Sequence, residues 1–301
     1  MSSVFSSFPR TAVDVRGAGN ISILGAPRGR ARGAIPFAHG KGLTGAVLVG
    51  LVVAAGLLAP FLTPYSPEQQ IAGVNLTGPS ASHWLGTDAL NRDLLTRTLY
   101  GIRVNLLISF IAVPLGASCG CILGFSSAMW KPTDELVQRA FDLILAFPAL
   151  ILGIALSVVF GPGLKTVFIL VILINIPIFG RLARTQALRV RELSYVESAA
   201  ACGAGTWWIL RRHIMPNSLS PIMVQFSIAM SLAVFVEGAM SFLGIGVMPP
   251  APSLGSLINE GAAYVYHAPL FAVGPLVVVI SFAMGLMLIA QAVSERNRLE
   301  P

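Results

Sequence analysis

A histidine and two carboxylates, His83, Asp88 and Asp93, fall within one polar stretch, HWLGTDALNRDLLTR from His83 to Arg97. As a donor set for a metal ion the group is sparse, because transition metals favour several imidazole or thiolate ligands. Arg92 and Arg97 are interleaved with the carboxylates. Pairing of Asp88 and Asp93 with these arginines, and capping of the turns entering the next apolar run, fits the spacing better than a metal centre.

Elsewhere the chemistry-bearing residues are isolated. Glu237 lies inside an apolar run, where a carboxylate must be paired, be protonated or face water. It reads either as a residue of a translocation path or gate, or as a partner in a hydrogen bond near the membrane surface, for example with Ser241. Asp142 stands three residues from Arg139 and reads as a capping or pairing group. Cys119 and Cys121 fall within an apolar run and read as packing residues, and with Cys202 they form no metal-ligand spacing with histidine. No Ser/His/Asp set, HExxH or phosphate-cradling G-x-x-x-x-G-K-[ST] loop occurs: Gly40-Lys41 is followed by Gly42. These absences disfavour an intramembrane enzyme and predict no nucleotide site or other cofactor in this chain.

The elements that would carry these residues are membrane helices. The 301 residues are 55% hydrophobic and 11% charged, against about 25% charged in soluble domains. Six apolar segments approach the ~20 residues needed to cross the hydrocarbon core: 43–62, 104–128, 141–160, 164–179, 221–245 and 268–293. The fourth is the weakest and is interrupted by Pro177. Helices are required because they satisfy their own backbone in lipid. Pro114, Pro177 and Pro221 could kink their helices, and Gly116, Gly120 and Gly124 predict close helix packing.

With six spans, sixteen Lys and Arg residues fall on one face and four on the other. The positive-inside bias then places both termini in the cytoplasm, in a multi-pass protein of the plasma membrane. The same bias accounts for the net charge of +7 without nucleic acid. Residues 1–42 read as a flexible cytoplasmic tail whose arginines are within reach of membrane lipid. Residues 43–103 hold the first span and an external segment, 104–294 a core, and 295–301 a short cytoplasmic tail. A secondary transporter would show paired repeats with interrupted helices, and no convincing pair is present.

Within the core, the basic segment 181–220 runs between spans four and five. Ser194 stands three residues before Glu197, the spacing of a capping box. A short helix of small residues follows, then a turn bracketed by Gly203 and Gly205, then a second helix capped by Thr206 and opening on Trp207 and Trp208. The pattern resembles the EAA loop of ABC importer permeases: Glu197, Ala199, Gly203, Ile214 and Pro216 match, and Ser198 replaces the middle alanine.

The stretch from His83 to Arg97 resembles H-x-x-G-T-D-x-x-G-R-D-x-x-S-R of the C-type permease subunit of dipeptide and oligopeptide importers. Gly86, Thr87, Asp88, Arg92 and Asp93 match, Thr96 stands for Ser, and Asn91 stands for Gly, where asparagine tolerates a left-handed turn. Phe147-Pro148, Gly161 to Leu164 and Ser241 to Gly244 are also similar to that family, while Leu254 stands where it usually has Trp. The resemblance spans about residues 43–301. It implies an all-α fold of six transmembrane helices of the type I ABC importer permease. The implied assembly has a second, B-type permease, two ABC ATPase subunits that bind ATP and Mg, and an extracytoplasmic peptide-binding protein. It implies coupling to the ATPases through 181–220, and a short peptide, or else a nickel chelate or other small solute, as cargo.

Overall fold

The computed structural model describes residues 40–299, so most of the expected N-terminal tail and the last two residues lie outside the described region. Twelve α-helices make up most of it, and residues 63–93 form a long non-helical segment. Helix α1 (Lys41–Leu57) continues after a break into the one-turn α2 (Ala59–Leu62). Helices α3 (Leu94–Leu107) and α4 (Val113–Met129) are joined through a π-helical turn, Ile108–Ala112, into one 36-residue rod. Then follow α5 (Lys131–Leu145), α6 (Ala149–Phe160), α7 (Leu164–Arg191), α8 (Ser194–Ala201), α9 (Thr206–Ile209), α10 (Met215–Phe242), α11 (Leu254–Ala262) and α12 (Pro269–Leu299). Helix begins at Lys41 and runs to Leu299, and so extends into both segments read as tails.

All six apolar segments form helix, with two differences from the sequence pattern. The weak fourth segment is a full-length span: α7 runs unbroken for 28 residues through Pro177. A proline costs a membrane helix less when neighbours pack tightly around it, and Pro177 is buried. The third segment is instead two helices, α5 and α6, bent by 88° at Ala146 to Pro148. Pro148 removes an N–H donor there and starts the new helix at its first free turn.

Loop contacts sort the helix ends onto two rims. On one, Lys41 pairs with Glu295, and Arg191 donates to the Ala128 carbonyl. On the other, Gly163 N–H donates to the Ile245 carbonyl, and Leu94, Leu257 and Phe271 share an apolar cluster with Leu76 and Leu85. Among the described residues four helices are long and apolar enough to cross a membrane, five if the bent α5–α6 pair is one span, and α1 is a shorter apolar helix that would make the expected sixth. The described ends of α1 and α12 lie on the same rim.

Helix α7 is the central staff, packed along α4. The glycine stripe makes this approach possible. A Cβ on Gly116 would sit 2.7 Å from the Ile172 carbonyl oxygen, and Gly120 and Gly124 abut the backbone around Ile176 and Gly180. Around the staff lies a continuous core including Val113, Val171, Phe179, Val234 and Phe282. Cys121 packs against that core, whereas Cys119 is exposed on the outer surface of the bundle rather than packed.

Candidate functional site

The basic segment forms a compact excursion on the rim that carries Lys41 and Glu295. Helix α8 does not use the expected capping box. Leu193 is the N-cap residue, without a side-chain cap, and Ser194 is already in the helix, its carbonyl accepting from Ser198 Oγ at 2.8 Å. Thr206 is likewise inside α9, whose cap residue is Gly205. What defines the loop is the end of α8. Gly203 N–H donates to the Ala200 carbonyl and Ala204 N–H to the Ala199 carbonyl. This is a Schellman turn, with Gly203 at its left-handed position, φ +88°. Ala199 and Gly203 thus belong to one hydrogen-bonded device.

The rest of the excursion divides by exposure. Val196, Ile209, Leu210 and Ile214 are buried against Phe125, Ala128, Ala187 and Val190 and so fasten the loop to α4 and α7. Glu197, Ser198, Gly203 and Pro216 are exposed. So are Tyr195, Trp207 and Trp208, the last edge-on to His213 with ring centroids 5.0 Å apart. The result is a fixed platform with small residues and aromatic rings facing outward.

The stretch His83 to Arg97 lies on the opposite rim and is organised inversely, with its charges inside. Asp88 accepts from Arg92 Nε at 2.6 Å and from the backbone N–H groups of Leu90 and Arg92, with Arg97 Nη1 at 3.5 Å. Asp93 caps α3, accepting from Thr96 N–H and Thr96 Oγ1, and its other oxygen meets His83 Nδ1 at 2.9 Å. His83 and Asp93 therefore form one pair and Asp88 pairs with the arginines, so Asp93 meets a histidine rather than the arginine its spacing suggested; no three such donors converge on one point among the described residues. Asn91 adopts φ +61° and Gly86 φ +84°, as the substitution of Asn for Gly anticipates. Thr87 bridges to the Thr77 side chain at 2.9 Å.

Sequence reasoning anticipated Arg97 but missed its partner across the bundle. Arg97 is completely buried, and Glu260 of α11 lies 3.5 Å from both Arg97 and Arg92. The 163 residues between Arg97 and Glu260 left no local signal. Asn105 was also missed. It is buried two turns below Arg97 on α3, with no hydrogen-bond partner for either end of its amide.

Glu237 is fully enclosed in α10. Its Oε1 accepts from Ser241 Oγ at 2.7 Å, Oε2 has no partner, and Asn105 and Ser253 are the other polar groups beside it. Asp142 pairs with Arg181 of α7 rather than with Arg139, which instead meets Glu135 at 3.3 Å.

A helical bundle with membrane-length spans, a buried polar cap on one rim and an exposed helical platform on the other is the frame of a transport permease. Residues 112–298 match the family described as the binding-protein-dependent transport system inner membrane component, and the chain belongs to that family. It is a multi-pass permease subunit of an ABC importer.

Its relatives include the glutathione transport system permease protein GsiD of Pectobacterium atrosepticum, 35% identical, with 85% of each chain covered. The dipeptide transport system permease protein DppC of Alkalihalophilus pseudofirmus is 34% identical, covering 86% of this chain and 85% of that one. A putative peptide transport system permease protein of Brucella suis is 37% identical, covering 85% and 86%. The fold is similar to that of the MetNI methionine ABC transporter in inward-facing conformations, with a TM-score of 0.54 and 19% identity over 68% of this chain and 95% of that one.

Proposed function

We propose that this permease pairs with a second, B-type permease to form the path for short peptides into the cell. Two ABC ATPase subunits on the cytoplasmic face supply the energy, binding ATP and Mg, and an extracytoplasmic binding protein delivers the peptide. The observation that carries this reading is the platform Ser194–Ile214. It presents Glu197, Ser198 and the Schellman turn outward while Ile214 and its neighbours bolt it to α4 and α7. A push on such a surface passes to two long helices rather than being absorbed by a loose loop. Ala199, Gly203 and Pro216 set the turn and the entry into α10.

The rim with the platform is placed in the cytoplasm because it carries Arg181, Arg184, Arg189, Arg191, Arg211 and Arg212, against Arg92, Arg97, Arg103 and Lys165 at the other. Both termini are then cytoplasmic. In this reading the external segment, through Gly86, Thr87, Asp88, Arg92 and Asp93, is the rigid outer floor on which delivery occurs. Glu237 contributes to gating if its enclosure opens during transport. Relatives named for dipeptide and glutathione transport support a short peptide as cargo.

The test is uptake into proteoliposomes holding the permease pair with its ATPases and binding protein. ATP-dependent accumulation of labelled di- to oligopeptides is the expected result. Accumulation of a nickel chelate in place of every peptide tried would overturn the cargo assignment.

A further inference from the structure

The bend between α5 and α6 leaves a helix with three distinct sides. Val137, Phe141 and Ile144 turn inward, and Phe141 is wedged against Gly180 of α7. Glu135, Arg139 and Asp142 form a charged side at i, i+4 and i+7. The third side is apolar and bare: Leu136 is 74% exposed and Leu143 70%, with exposed Ala140 between them. A helix charged on one side and apolar on another is suited to lie in the membrane surface, its apolar side sunk to the headgroup and acyl boundary.

Three observations select lipid as the occupant of the bare side. First, α5 lies nearly perpendicular to α6, at 88°, so that a helix directed across the bilayer leaves α5 running along its surface. Second, α5 follows Trp130, half-exposed on the platform rim, and tryptophan concentrates at the membrane–water interface. Third, two leucines and an alanine offer far less than the roughly 800 Å² per partner of a stable protein interface.

We infer that α5 lies in the inner-leaflet interface, with Leu136, Ala140 and Leu143 in the acyl region and Glu135 and Arg139 in water. From there it holds α7 at a fixed depth. Asp134 makes two bonds to Arg184, of 2.7 and 2.6 Å, and Asp142 pairs with Arg181. Helix α7 leads within three residues into the platform, so α5 is a lipid-referenced strut for the surface on α8 and α9. This placement needs only that the chain spans a membrane, whatever it carries.

The test is site-directed spin labelling of the full permease pair in liposomes. Single cysteines replace Leu136, Leu143 or Arg139 in a background without Cys119, Cys121 and Cys202. Collision with oxygen, enriched in the acyl region, is compared with collision with a water-soluble nickel complex. The oxygen-to-nickel ratio is expected to be several-fold higher at both leucine positions than at Arg139. Two leucine positions are used so that one misfolded variant does not decide the outcome. Equal ratios at all three positions would place α5 in water and overturn the inference. Shielding of both leucine positions from both reagents would show that a protein partner covers that side, and would overturn it equally.

Discussion

The two rims carry the family-like motifs of this chain, and they treat their polar residues in opposite ways. On the rim of α3 and α11, Asp88, Arg92, Asp93 and Arg97 are all buried; Asp88 holds Arg92, Asp93 holds His83, and Arg97 lies 3.5 Å from Asp88 and Glu260. On the platform rim, read as the inner one, Glu197 and Ser198 are exposed on a platform whose apolar side is fastened beneath. A motif whose charges are satisfied internally specifies its own fold. A motif whose small and charged residues are left facing out, on a rigid base, is shaped for something outside the chain. The comparison predicts that damage to the outer motif is felt as lost stability, and damage to the inner motif as lost coupling.

The largest effect is expected from Asp88→Asn. The change removes the carboxylate shared by two buried guanidiniums and leaves only Glu260 to face them. Breaking a buried ion pair by removing one partner costs about 3–5 kcal/mol. Thermal unfolding of the purified permease pair in detergent should show a marked loss of stability, with low yield from the membrane. Wild-type unfolding would mean that the outer cluster is not the structural element described.

A smaller loss is expected from Asp93→Ala. It removes the cap of α3, worth ~1 kcal/mol, and strands the buried His83 ring, at ~1–3 kcal/mol for a buried polar group without its partner. The same unfolding measurement should rank this variant between Asp88→Asn and the wild type. A reversed ranking would show that the arginines are held by something other than Asp88.

How much of this was readable in advance depends on how locally each feature is written. The apolar runs, the glycine stripe of α4, the left-handed Asn91 and the turn at Gly203 are each encoded within a few residues, and each stands where its pattern implies. The bend before α6 was hidden because the run from Phe141 to Phe160 is apolar throughout almost its whole length, and hydropathy carries no direction. Pro177 misled in the other sense, since the packing that lets a helix continue through it comes from distant segments. Ser194 and Thr206 match capping spacings, but Leu193 and Gly205 took those positions, one residue earlier in the chain. The pairing of Arg97 with Glu260, and of Asp142 with Arg181, joins segments far apart in sequence, and a single chain gives no means of matching them.

Gly203→Val should have the smallest effect on stability and the largest on function. A Cβ at this position meets no atom within 4 Å, so the cost is conformational, about 1–2 kcal/mol for a side chain held in the left-handed region. It falls on an exposed turn rather than on the bundle. The most direct test of the central claim, that the platform couples this permease to its ATPases, is ATP hydrolysis and uptake by the reconstituted Gly203→Val importer beside the wild type. The account predicts normal assembly of all subunits, with binding-protein-stimulated hydrolysis and uptake lost together. An assembled variant that keeps full stimulated hydrolysis and full uptake would contradict it.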